Sequence, residues 1–509
     1  MTRVAVIGGG ITGLSAARLL ALRGVDVIVL EAGNRWGGKL APVAINGVRL
    51  DGGAESILAR RPEGLRLVYD LDLGSRVVHP TEAKPQLLLG GQLHAMPASL
   101  LGVPTDVGQL ADLLSAEGWR KAASEPERPA PAFDHDLAIG RYVDERFGAE
   151  VTDRLLEPLL GGVYAGHARR LSFDAVAHAL FERAKGGGSL LQQARSIAEE
   201  GQTGPVFAGL RGGVSIMVDA LVDDLDKRGV VLRSGAAVRA LDHMTDGYQV
   251  IIGGAGTPEM IKSDGVLLTA PATATGRLLY GLVDSAQEFA RLPYASVAVI
   301  TLVVRGLQSD ASGLLVPPSE LPTIKALTYS SNKWPWVASQ ARRVWGSGVD
   351  IVRASIGRHG DPTSLQFSDR DLIDRTFAEA SSIPGWQTAK LIHGVVNRWG
   401  GALPQYHVGH RDLVAQLRSE VAGRPGLAVA GAALDGVGIA ACLGSSHAAV
   451  EALAADFRLT RSEMIKSEDQ LDDSLHHVVG VQKGWSAGRS ADGDGRCYGA
   501  GDRSRHERR

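Results

Sequence analysis

The amino-acid sequence predicts an α/β fold built on a discontinuous, Rossmann-like parallel sheet. Residues 4–7 and 25–30 are short apolar runs on either side of an apolar helical stretch, the pattern of a β-α-β unit. Related pieces return at 209–269, as a helix followed by a β-meander, and at 427–431, as a short strand before a helix. Because these pieces lie far apart in the chain, we expect insertions to separate the parts of one domain.

The first β-α-β unit carries a dinucleotide-binding motif. Gly8, Gly10 and Gly13 have the G-x-G-x-x-G spacing, which permits a tight turn, backbone approach to a pyrophosphate and close contact between helix and strand. The N-terminus of the following helix offers unpaired N–H groups to the phosphates. Glu31 lies 18 residues after Gly13, where an acid binds ribose hydroxyls and disfavours a 2′-phosphate. The motif therefore predicts a dinucleotide other than NADP.

The residues after Glu31 distinguish FAD from NAD. Residues 32–39 read AGNRWGGK, and residues 50–56 read LDGGAES. These segments resemble the E-x-x-x-R-x-G-G motif and the D-x-G strand of the FAD-dependent amine oxidase and protoporphyrinogen oxidase superfamily. Paired glycines let the backbone run flat beside an extended flavin, and a basic side chain offsets the pyrophosphate charge.

The resemblance implies that FAD is bound noncovalently, because no Cys or His stands where the family links its flavin. No metal is expected, and the pair His476 and His477 is interpreted as part of a solvated extension. The residues that the resemblance implies for FAD binding are Gly8, Gly9, Gly10, Ile11, Thr12, Gly13, Glu31, Ala32, Arg35, Gly37, Gly38, Lys39, Gly53, Ala54, Glu55, Ser56, Val238, Trp399, Gly431, Val437, Gly438 and Ile439.

The insertions differ in character. β-branched runs and a helix at 369–380 predict a β-sheet platform in the later insertion, which is expected to bind the substrate. The earlier insertion has helical patterns and a Pro-rich stretch at 125–131, which we expect on the surface. The expected domains are a FAD-binding domain (1–80, 205–275 and 425–459), a substrate-binding domain (81–99 and 276–424), a mainly helical insertion (100–204) and a disordered tail (460–509).

Composition and charge exclude several classes of protein. The 509 residues carry a formal net charge of −2, so no overall field attracts nucleic acid or anionic lipid. The chain has 2 cysteines, Cys442 and Cys497, which excludes a disulfide framework. No run of 18 uncharged apolar residues occurs, which argues against a spanning helix and leaves peripheral membrane contact open. Without an export signal pattern we expect a cytoplasmic protein, on the inner membrane face if it is peripheral, and its oligomeric state stays open.

Further segments resemble one branch of the superfamily, the oxygen-dependent protoporphyrinogen and coproporphyrinogen III oxidases. The most selective is EPLLGGVYAG at 157–166, and residues 325–334 look like the actinobacterial type. The resemblance covers about residues 2–457 and implies oxidation of coproporphyrinogen III to coproporphyrin III in haem biosynthesis, with FAD, O₂ and H₂O₂. Protoporphyrinogen IX is a second expected substrate, and ferrochelatase is a candidate partner. The other matching segments are 53–63, 91–97, 404–410 and 430–439.

The implied chemistry is hydride transfer to the flavin, so orientation matters more than a strong base and no catalytic side chain is assigned. Coproporphyrinogen has four propionates and protoporphyrinogen two, so several cations facing one cleft favour the former. The animal enzymes have an arginine where residues 84–86 read KPQ, so the propionate anchors must differ here. The candidate anchors are Lys325, Lys333, Arg353 and Arg60, each of which is otherwise a solvated surface charge.

Aromatic and histidine side chains are secondary candidates. Trp399 is a candidate wall of the flavin site. Tyr164 and Tyr406 either stack on the tetrapyrrole or pack in the core. The histidines with apolar neighbours are expected to be structural and not bases: His94, His178 and His393.

Two other functions fit the same motifs. An amine oxidase or a carotenoid desaturase has the same fold, although an aromatic cage for an amine is less expected in a chain with 5% aromatic residues. A non-catalytic flavoprotein that assists haem-pathway enzymes is the second alternative. Flavin reduction by a porphyrinogen, an amine or a carotene separates these hypotheses.

Overall fold

The computed structural model describes residues 2–200, 204–254 and 257–459. The predicted tail, with Cys497, His476 and His477, lies outside the described residues. The strands are β1 Arg3–Ile7, β2 Asp26–Leu30, β3 Pro42–Ile45, β4 Val48–Asp51, β5 Ile57–Leu58, β6 Val77–Val78, β7 Pro85–Leu89, β8 Gln92–Ala95, β9 Ser99–Leu100, β10 Val103–Pro104, β11 Phe207–Leu210, β12 Val231–Arg233, β13 Val238–Met244, β14 Gly247–Ile252, β15 Glu259–Ser263, β16 Gly265–Leu268, β17 Tyr294–Arg305, β18 Gly313–Leu315, β19 Ile324–Tyr329, β20 Val349–Ile356, β21 Lys390–Pro404 and β22 Leu427–Val429.

The α-helices are α1 Ile11–Ala21, α2 Pro62–Asp70, α3 Ala116–Ala123, α4 Ile139–Arg146, α5 Ala149–Val151, α6 Glu157–Tyr164, α7 Phe173–Val176, α8 His178–Ala184, α9 Leu190–Glu200, α10 Ile216–Lys227, α11 Ala272–Leu279, α12 Ala286–Ala290, α13 Ser330–Lys333, α14 Pro335–Trp345, α15 Asp369–Ala380, α16 His410–Ala422, α17 Ala432–Asp435 and α18 Ile439–Asp456. A π-helical turn, Thr152–Leu156, joins α5 to α6.

A five-stranded parallel sheet with the order β12-β2-β1-β16-β22 carries the glycine motif. Val4 and Val6 of β1 belong to the core formed with α1, α10 and α18, whereas Ala5 and Ile7 face α11, α12 and α16. Helices therefore cover both faces, as parallel sheets require. The strands come from distant parts of the chain, which confirms the α/β fold with a discontinuous Rossmann-like sheet.

One strand of this sheet differs from the sequence expectation. The sequence grouped residues 265–269 with the β-meander, but β16 pairs in parallel with β1 and β22. The meander itself is β13, β14 and β15. The reason is visible in the burial of β16, because all four of its residues are buried and a continuous apolar run is typical of a strand covered on both faces.

A seven-stranded sheet forms the platform expected in the later insertion, with the order β21-β17-β20-β19-β18-β7-β8. One of its faces packs on α15 and on the fully buried Trp386. On the other face, Ala326, Ser355, Val299 and Asn397 stand opposite one another on four neighbouring strands. Opposed residues in paired strands share a face, so these four side chains form one row across the sheet.

The helical insertion has its own core, which includes Phe147, Phe173 and Leu156. The expectation that the whole stretch 125–131 lies on the surface is wrong at Glu125, which is fully buried. Its carboxylate pairs with Arg146 at 2.6 Å and accepts hydrogen bonds from the N–H groups that begin α9. A buried carboxylate is tolerated here because a cation and an N-terminal helix end both stabilise its charge.

Within the described ranges, no helix combines the length and the apolar composition that crossing a bilayer requires.

Candidate functional site

The turn between β1 and α1 has the geometry that the glycine motif predicts. Gly8 adopts φ +116°, and its N–H donates to the carbonyl oxygen of Leu30 at 2.9 Å. A Cβ atom on Gly13 would lie 1.9 Å from the carbonyl oxygen of Gly8, so only glycine fits there. Helix α1 begins after Gly10 without a side-chain cap. Its first N–H groups are therefore available to an anion, and they belong to the implied residues Ile11 and Thr12.

Glu31 ends β2 with its carboxylate held by backbone donors. One carboxylate oxygen accepts the N–H of Gly9 at 2.7 Å, and the other accepts the N–H of Gly33 at 2.7 Å. The backbone of Glu31 also bonds Ala236, which brings Val238 at the start of β13 to the same edge. This places an oriented carboxylate beside the first turn of α1, as ribose recognition requires.

The paired glycines after Glu31 form a second tight turn against the first. Gly37 and Gly38 have φ of +96° and +56°, and the N–H of Gly37 donates to the carbonyl oxygen of Gly9 at 2.8 Å. Arg35 does not extend freely from this turn. Its guanidinium donates to the carbonyl oxygens of Trp36 at 2.9 Å and Gly38 at 2.6 Å. The arginine therefore fixes the loop, and Ala32 before it is exposed.

Lys39 lies where two helix N-termini approach each other. Its pKa is lowered by burial, and the opposing influence of Cys442 in the first turn of α18 is smaller. Cys442 in turn contacts Thr12 in the first turn of α1. Helix α18 starts after Gly438 without a side-chain cap, and a Cβ there would meet open space. Among the described residues, Lys39 forms no ion pair with a carboxylate.

The segment before α18 is held by a polar contact inside the sheet domain. Gly431 has φ +126°, and its N–H donates to the hydroxyl of Ser445 at 2.9 Å. Val437 lies between this point and the helix start at Ile439, and it packs on the core of the helical insertion. The backbone around the α18 N-terminus is thereby fixed in position.

The strand end at 52–56 contacts the seven-stranded sheet. The indole N–H of Trp399 donates to the carbonyl oxygen of Gly52 at 2.9 Å. A Cβ on Gly53 would lie 2.1 Å from the carbonyl oxygen of Lys39 and 3.1 Å from Trp399. Glycine is thus required where the three segments meet, and Ala54 and Ser56 follow on the accessible side.

Glu55 neutralises two of the predicted anchors. Its carboxylate pairs with the Lys333 ammonium at 2.6 Å and with the Arg353 guanidinium, which also donates to the carbonyl oxygen of Gly53. Burial alone would raise the pKa of Glu55, but the two cations outweigh burial and lower it to about 2. The side chains of this Glu55 cluster (Glu55, Lys333 and Arg353) are at most 17% exposed.

Beside this cluster, one row of side chains on the seven-stranded sheet is only partly covered. Ala326, Ser355, Val299 and Asn397 lie inside their strands and are still half-buried. The amide oxygen of Asn397 is sealed from solvent without a partner among the described residues. The hydroxyl of Thr301 is likewise buried without a hydrogen-bond partner among the described residues. We call the row of Ala326, Ser355, Val299 and Asn397 the sheet floor. It offers contacts with small and uncharged side chains to a flat ligand.

Lys325 lies at a bulge of β19, one residue before the sheet floor, and is 1% exposed. Burial, together with the nearby guanidinium of Arg358, lowers its pKa to about 7. No carboxylate within the described parts of the chain pairs with its ammonium. The β19 strand contacts α6, which belongs to the selective segment 157–166.

The structure also places the remaining candidates. Tyr164 and Tyr406 contact each other edge to face at 5.6 Å between ring centroids, and the Tyr406 hydroxyl donates to the carbonyl oxygen of Ala432. Burial raises the pKa of Tyr164 to about 12. Arg60 is exposed in the turn after β5. These tyrosines connect the substrate sheet, α6 and the segment before α18.

The three candidate histidines do not meet at this site. His94 is half-buried in β8, and His393 is exposed on the edge strand β21. His178 hydrogen-bonds Asp174 at 2.6 Å at the start of α8. With Glu182 they form a surface group whose ligand atoms lie within 4.8 Å of one another.

Sequence reasoning missed several polar residues at the site. Thr301 and Asn397 occur in strands with many apolar residues, and only strand pairing shows that they share one face of the sheet. Arg358 and His359 follow β20 as an adjacent basic pair, a signal that could have been read but not positioned. His410 is 5% exposed, stacks on Tyr406 at 4.3 Å and has both ring nitrogens unpartnered in the described structure.

These residues fit a flavin dinucleotide. Glu31 matches a ribose, two uncapped helix N-termini and Lys39 match a pyrophosphate, and the contact between Gly53 and Trp399 forms a wall. The sheet floor lies beside that wall. The arrangement can therefore hold an extended dinucleotide in the parallel-sheet domain and a flat second ligand on the other sheet.

Comparison with known proteins agrees with this geometry. The profile of the flavin containing amine oxidoreductases matches residues 11–454. Coproporphyrinogen III oxidase from Mycobacterium leprae (strain TN) is 34% identical over 460 residues, covering 89% of this chain and 98% of the relative. Human protoporphyrinogen oxidase is 28% identical over 483 residues, covering 88% of this chain and 97% of the relative.

A solved structure is similar over nearly the whole described body. It is a protein from Exiguobacterium sp. 255-15, assigned as a protoporphyrinogen oxidase, with a TM-score of 0.76 and 27% identity. The similarity covers 90% of this chain and 99% of that chain. The two chains therefore share the same overall fold.

Proposed function

We propose that this chain, which belongs to the flavin containing amine oxidoreductase family, oxidises coproporphyrinogen III to coproporphyrin III. Membership makes it a flavin-dependent oxidoreductase, and it confirms both the resemblance to porphyrinogen oxidases and the expected cofactor, FAD. When bound, FAD accepts hydride equivalents from the substrate and passes the electrons to O₂, with H₂O₂ as product.

One observation carries the choice of substrate class. The sheet floor presents small, uncharged side chains over four strands, directly beside the flavin wall at Gly53 and Trp399. A tetrapyrrole macrocycle, which becomes flat when it is oxidised to the porphyrin, needs this kind of surface, and the 34% identity to a coproporphyrinogen III oxidase spans 98% of that relative. An amine oxidase would need a cage for one small cation, which this row does not provide.

The chain's own residues hold and orient the two ligands. Glu31 and the N-termini of α1 and α18 would hold the dinucleotide, and Trp399 would contribute a wall of its site. The sheet floor supports the tetrapyrrole, and the buried amine of Lys325, which has no carboxylate partner in the described chain, is offered to its carboxylates. Because the hydride leaves a bridging carbon of the macrocycle, rigid placement is the main contribution of the protein.

The proposal includes a preference and a setting. Four propionates on coproporphyrinogen require more cations than the two on protoporphyrinogen, so we place coproporphyrinogen III first and protoporphyrinogen IX second. We place the reaction in the cytoplasm and add to the proposal that the protein contacts the membrane surface peripherally. Metal insertion consumes the porphyrin product, so contact with a ferrochelatase belongs to the same proposal.

The test is anaerobic mixing of the purified yellow protein with each porphyrinogen. We expect coproporphyrinogen III to bleach the oxidised flavin absorbance and to do so at least about tenfold more efficiently than protoporphyrinogen IX. Under air, O₂ uptake, peroxide and porphyrin fluorescence should appear together. If only amines or carotenes bleach the flavin, an amine oxidase or a carotenoid desaturase replaces the proposal. If none of these compounds bleaches the flavin, a non-catalytic flavoprotein is favoured.

A separate measurement tests how the cofactor is held. Denaturation should release all flavin into the supernatant. The reason is that Glu31, Lys39 and the helix N-termini offer only hydrogen bonds and charge to the flavin, and we propose no covalent link. Yellow colour that stays on the precipitated chain would contradict noncovalent binding. Replacement of FAD by a nicotinamide would contradict the cofactor itself.

A further inference from the structure

We propose that Arg358, with Lys325 and His359, binds carboxylates of the tetrapyrrole beside helix α6. This inference rests on the proposed function and deepens it by naming the group that recognises the substrate. We call Arg358 and Lys325 the α6 cations; His359 beside them is a neutral hydrogen-bonding group, because burial lowers its pKa. None of the four sequence-predicted anchors includes Arg358 or His359, and the argument comes from polar atoms that the fold leaves without partners.

One of the two terminal nitrogens of the Arg358 guanidinium has no hydrogen-bond partner in the described structure. One terminal nitrogen donates to the carbonyl oxygen of Val316 at 3.2 Å. The other terminal nitrogen is sealed from solvent, has no hydrogen-bond partner among the described residues, and lies near Gly161 of α6. A Cβ on Gly161 would approach that nitrogen to 3.1 Å. Glycine thus leaves room at the helix for the arginine, whose unpaired N–H groups cost stability unless a ligand accepts them.

Lys325 and His359 add unused donors at the same place. Lys325 is 1% exposed and lies close enough to Arg358 for the two like charges to repel. His359 donates its backbone N–H to the carbonyl oxygen of Ala165 and leaves its Nδ1 sealed without a partner in the described chain. Three side chains with hydrogen-bonding capacity therefore converge beside the C-terminal end of α6.

The acids nearest to Arg358 are already occupied. The Glu157 carboxylate accepts the N–H of Ala168 at 2.7 Å and contacts His167 at 3.3 Å. Asp361 accepts a backbone N–H at 3.2 Å in its own turn. Both acids only raise the pKa of Arg358, and burial lowers it by more. Among the described residues, no carboxylate therefore forms an ion pair with either of the α6 cations.

The position relative to the sheet floor fits a ring substituent. Ser355 of the floor lies three residues before Arg358 on β20 and its following turn, and Ala326 of the floor directly follows Lys325. The α6 cations therefore lie on one side of the row, and Arg353, two residues before Ser355 on β20, lies on the opposite side. A flat ring on the floor extends its propionates toward the side of the α6 cations, where guanidinium and ammonium groups bind carboxylates well.

The test is the binding of coproporphyrin III, which keeps all four carboxylates, to the FAD-loaded protein. We expect Arg358→Gln to weaken binding by about tenfold or more, from loss of one charge-assisted contact. Arg358→Lys should recover part of the affinity. Coproporphyrin tetramethyl ester should bind wild type and Arg358→Gln equally, since it has no carboxylate. Arg370→Gln is the matched control, because Arg370 is 91% exposed on α15.

Kinetics separate this inference from the proposed function. With coproporphyrinogen III, Arg358→Gln should raise KM and leave kcat nearly unchanged, and it should keep wild-type flavin content. If wild type oxidises coproporphyrinogen III while Arg358→Gln binds and turns over normally, the inference is wrong and the function stands. If neither porphyrinogen bleaches the flavin of the wild type, the proposed function is wrong, whatever the Arg358 variant does. An equal loss of affinity for the acid and the ester would show a structural defect and overturn the carboxylate role.

Discussion

Two groups of buried cations border the same sheet floor and differ in one respect. In the Glu55 cluster, a carboxylate at 2.6 Å from Lys333 also binds Arg353. Among the α6 cations, Lys325 and Arg358 face no such carboxylate within the described residues. Both groups are largely removed from water, so both bear a desolvation cost.

The difference separates a structural role from a binding role. A buried cation whose charge is neutralised inside the chain has little left to offer a ligand, and its partner is costly to remove. A buried cation without a partner destabilises the fold and gains most when an anion arrives. Of the predicted anchors, we therefore expect Lys333 and Arg353 to serve the fold, and we propose Lys325 for the substrate.

The largest expected effect is on stability at the Glu55 cluster. Glu55→Gln leaves two buried cations uncompensated and should lower the free energy of unfolding by about 3–5 kcal/mol. Urea unfolding of the FAD-loaded proteins measures this. Glu63→Gln is the control, because Glu63 pairs with Arg61 at the surface, where an ion pair contributes about 0–1 kcal/mol.

The pH dependence of that loss has a defined sign. The pKa of Glu55 is lowered to about 2 from its ordinary 4.5. Its contribution to stability is therefore complete above pH 4.5 and is lost as the pH falls toward 2. The gap between wild type and Glu55→Gln should narrow over that window, and a constant gap would contradict the assigned charge state.

A somewhat smaller effect is expected on catalysis at Lys325. Lys325→Glu replaces attraction by repulsion and should cost about 2–4 kcal/mol in kcat/KM for coproporphyrinogen III. Protoporphyrinogen IX, with two carboxylates fewer, should suffer less. Lys390→Glu on the exposed start of β21 is the charge-reversal control. Unchanged kinetics with normal flavin content would remove Lys325 from the substrate site.

A neutral replacement at the same position should stabilise the protein. Lys325→Met removes an unpaired buried charge and should raise the free energy of unfolding by about 1–3 kcal/mol at pH 6. Because the pKa of Lys325 is lowered to about 7, the charge cost is full below pH 7 and declines as the pH rises toward 10.5. The gain should therefore shrink at pH 9. Destabilisation at both pH values would show that the ammonium has an internal partner.

The smallest effect is expected at Arg60. This candidate anchor is exposed, so water screens its charge and a contact there contributes less than about 1 kcal/mol. Arg60→Gln should change KM for coproporphyrinogen III by no more than about threefold. A tenfold rise would move the propionate site from the α6 cations toward the turn after β5.

The FAD half of the site could be predicted from the sequence because its determinants are local. Gly8, Gly13 and Glu31 are fixed by one β-α-β unit, and their positions follow from spacing within 31 residues. Lys39 and the α18 N-terminus were included through the resemblance. Their contact near Cys442 joins segments that lie about 400 residues apart in the chain.

The substrate half was predicted only as a list of cations. Sequence alone cannot pair Lys333 with Glu55, because 278 residues separate them. It also missed Arg358, since an Arg-His pair after a strand is common on surfaces. The domain bounds and the individual FAD contacts stay predictions.

By itself the sequence determined the parallel-sheet fold, the family and the dinucleotide motif, because these follow from short-range periodicity, glycine spacing and segment similarity. Only the tertiary structure decided which buried charges are satisfied. Strand pairing sets the side chains that share the sheet floor, and packing of α6 against β19 sets the cations that border it. Burial and charge balance depend on neighbours from every part of the chain, so no local pattern encodes them.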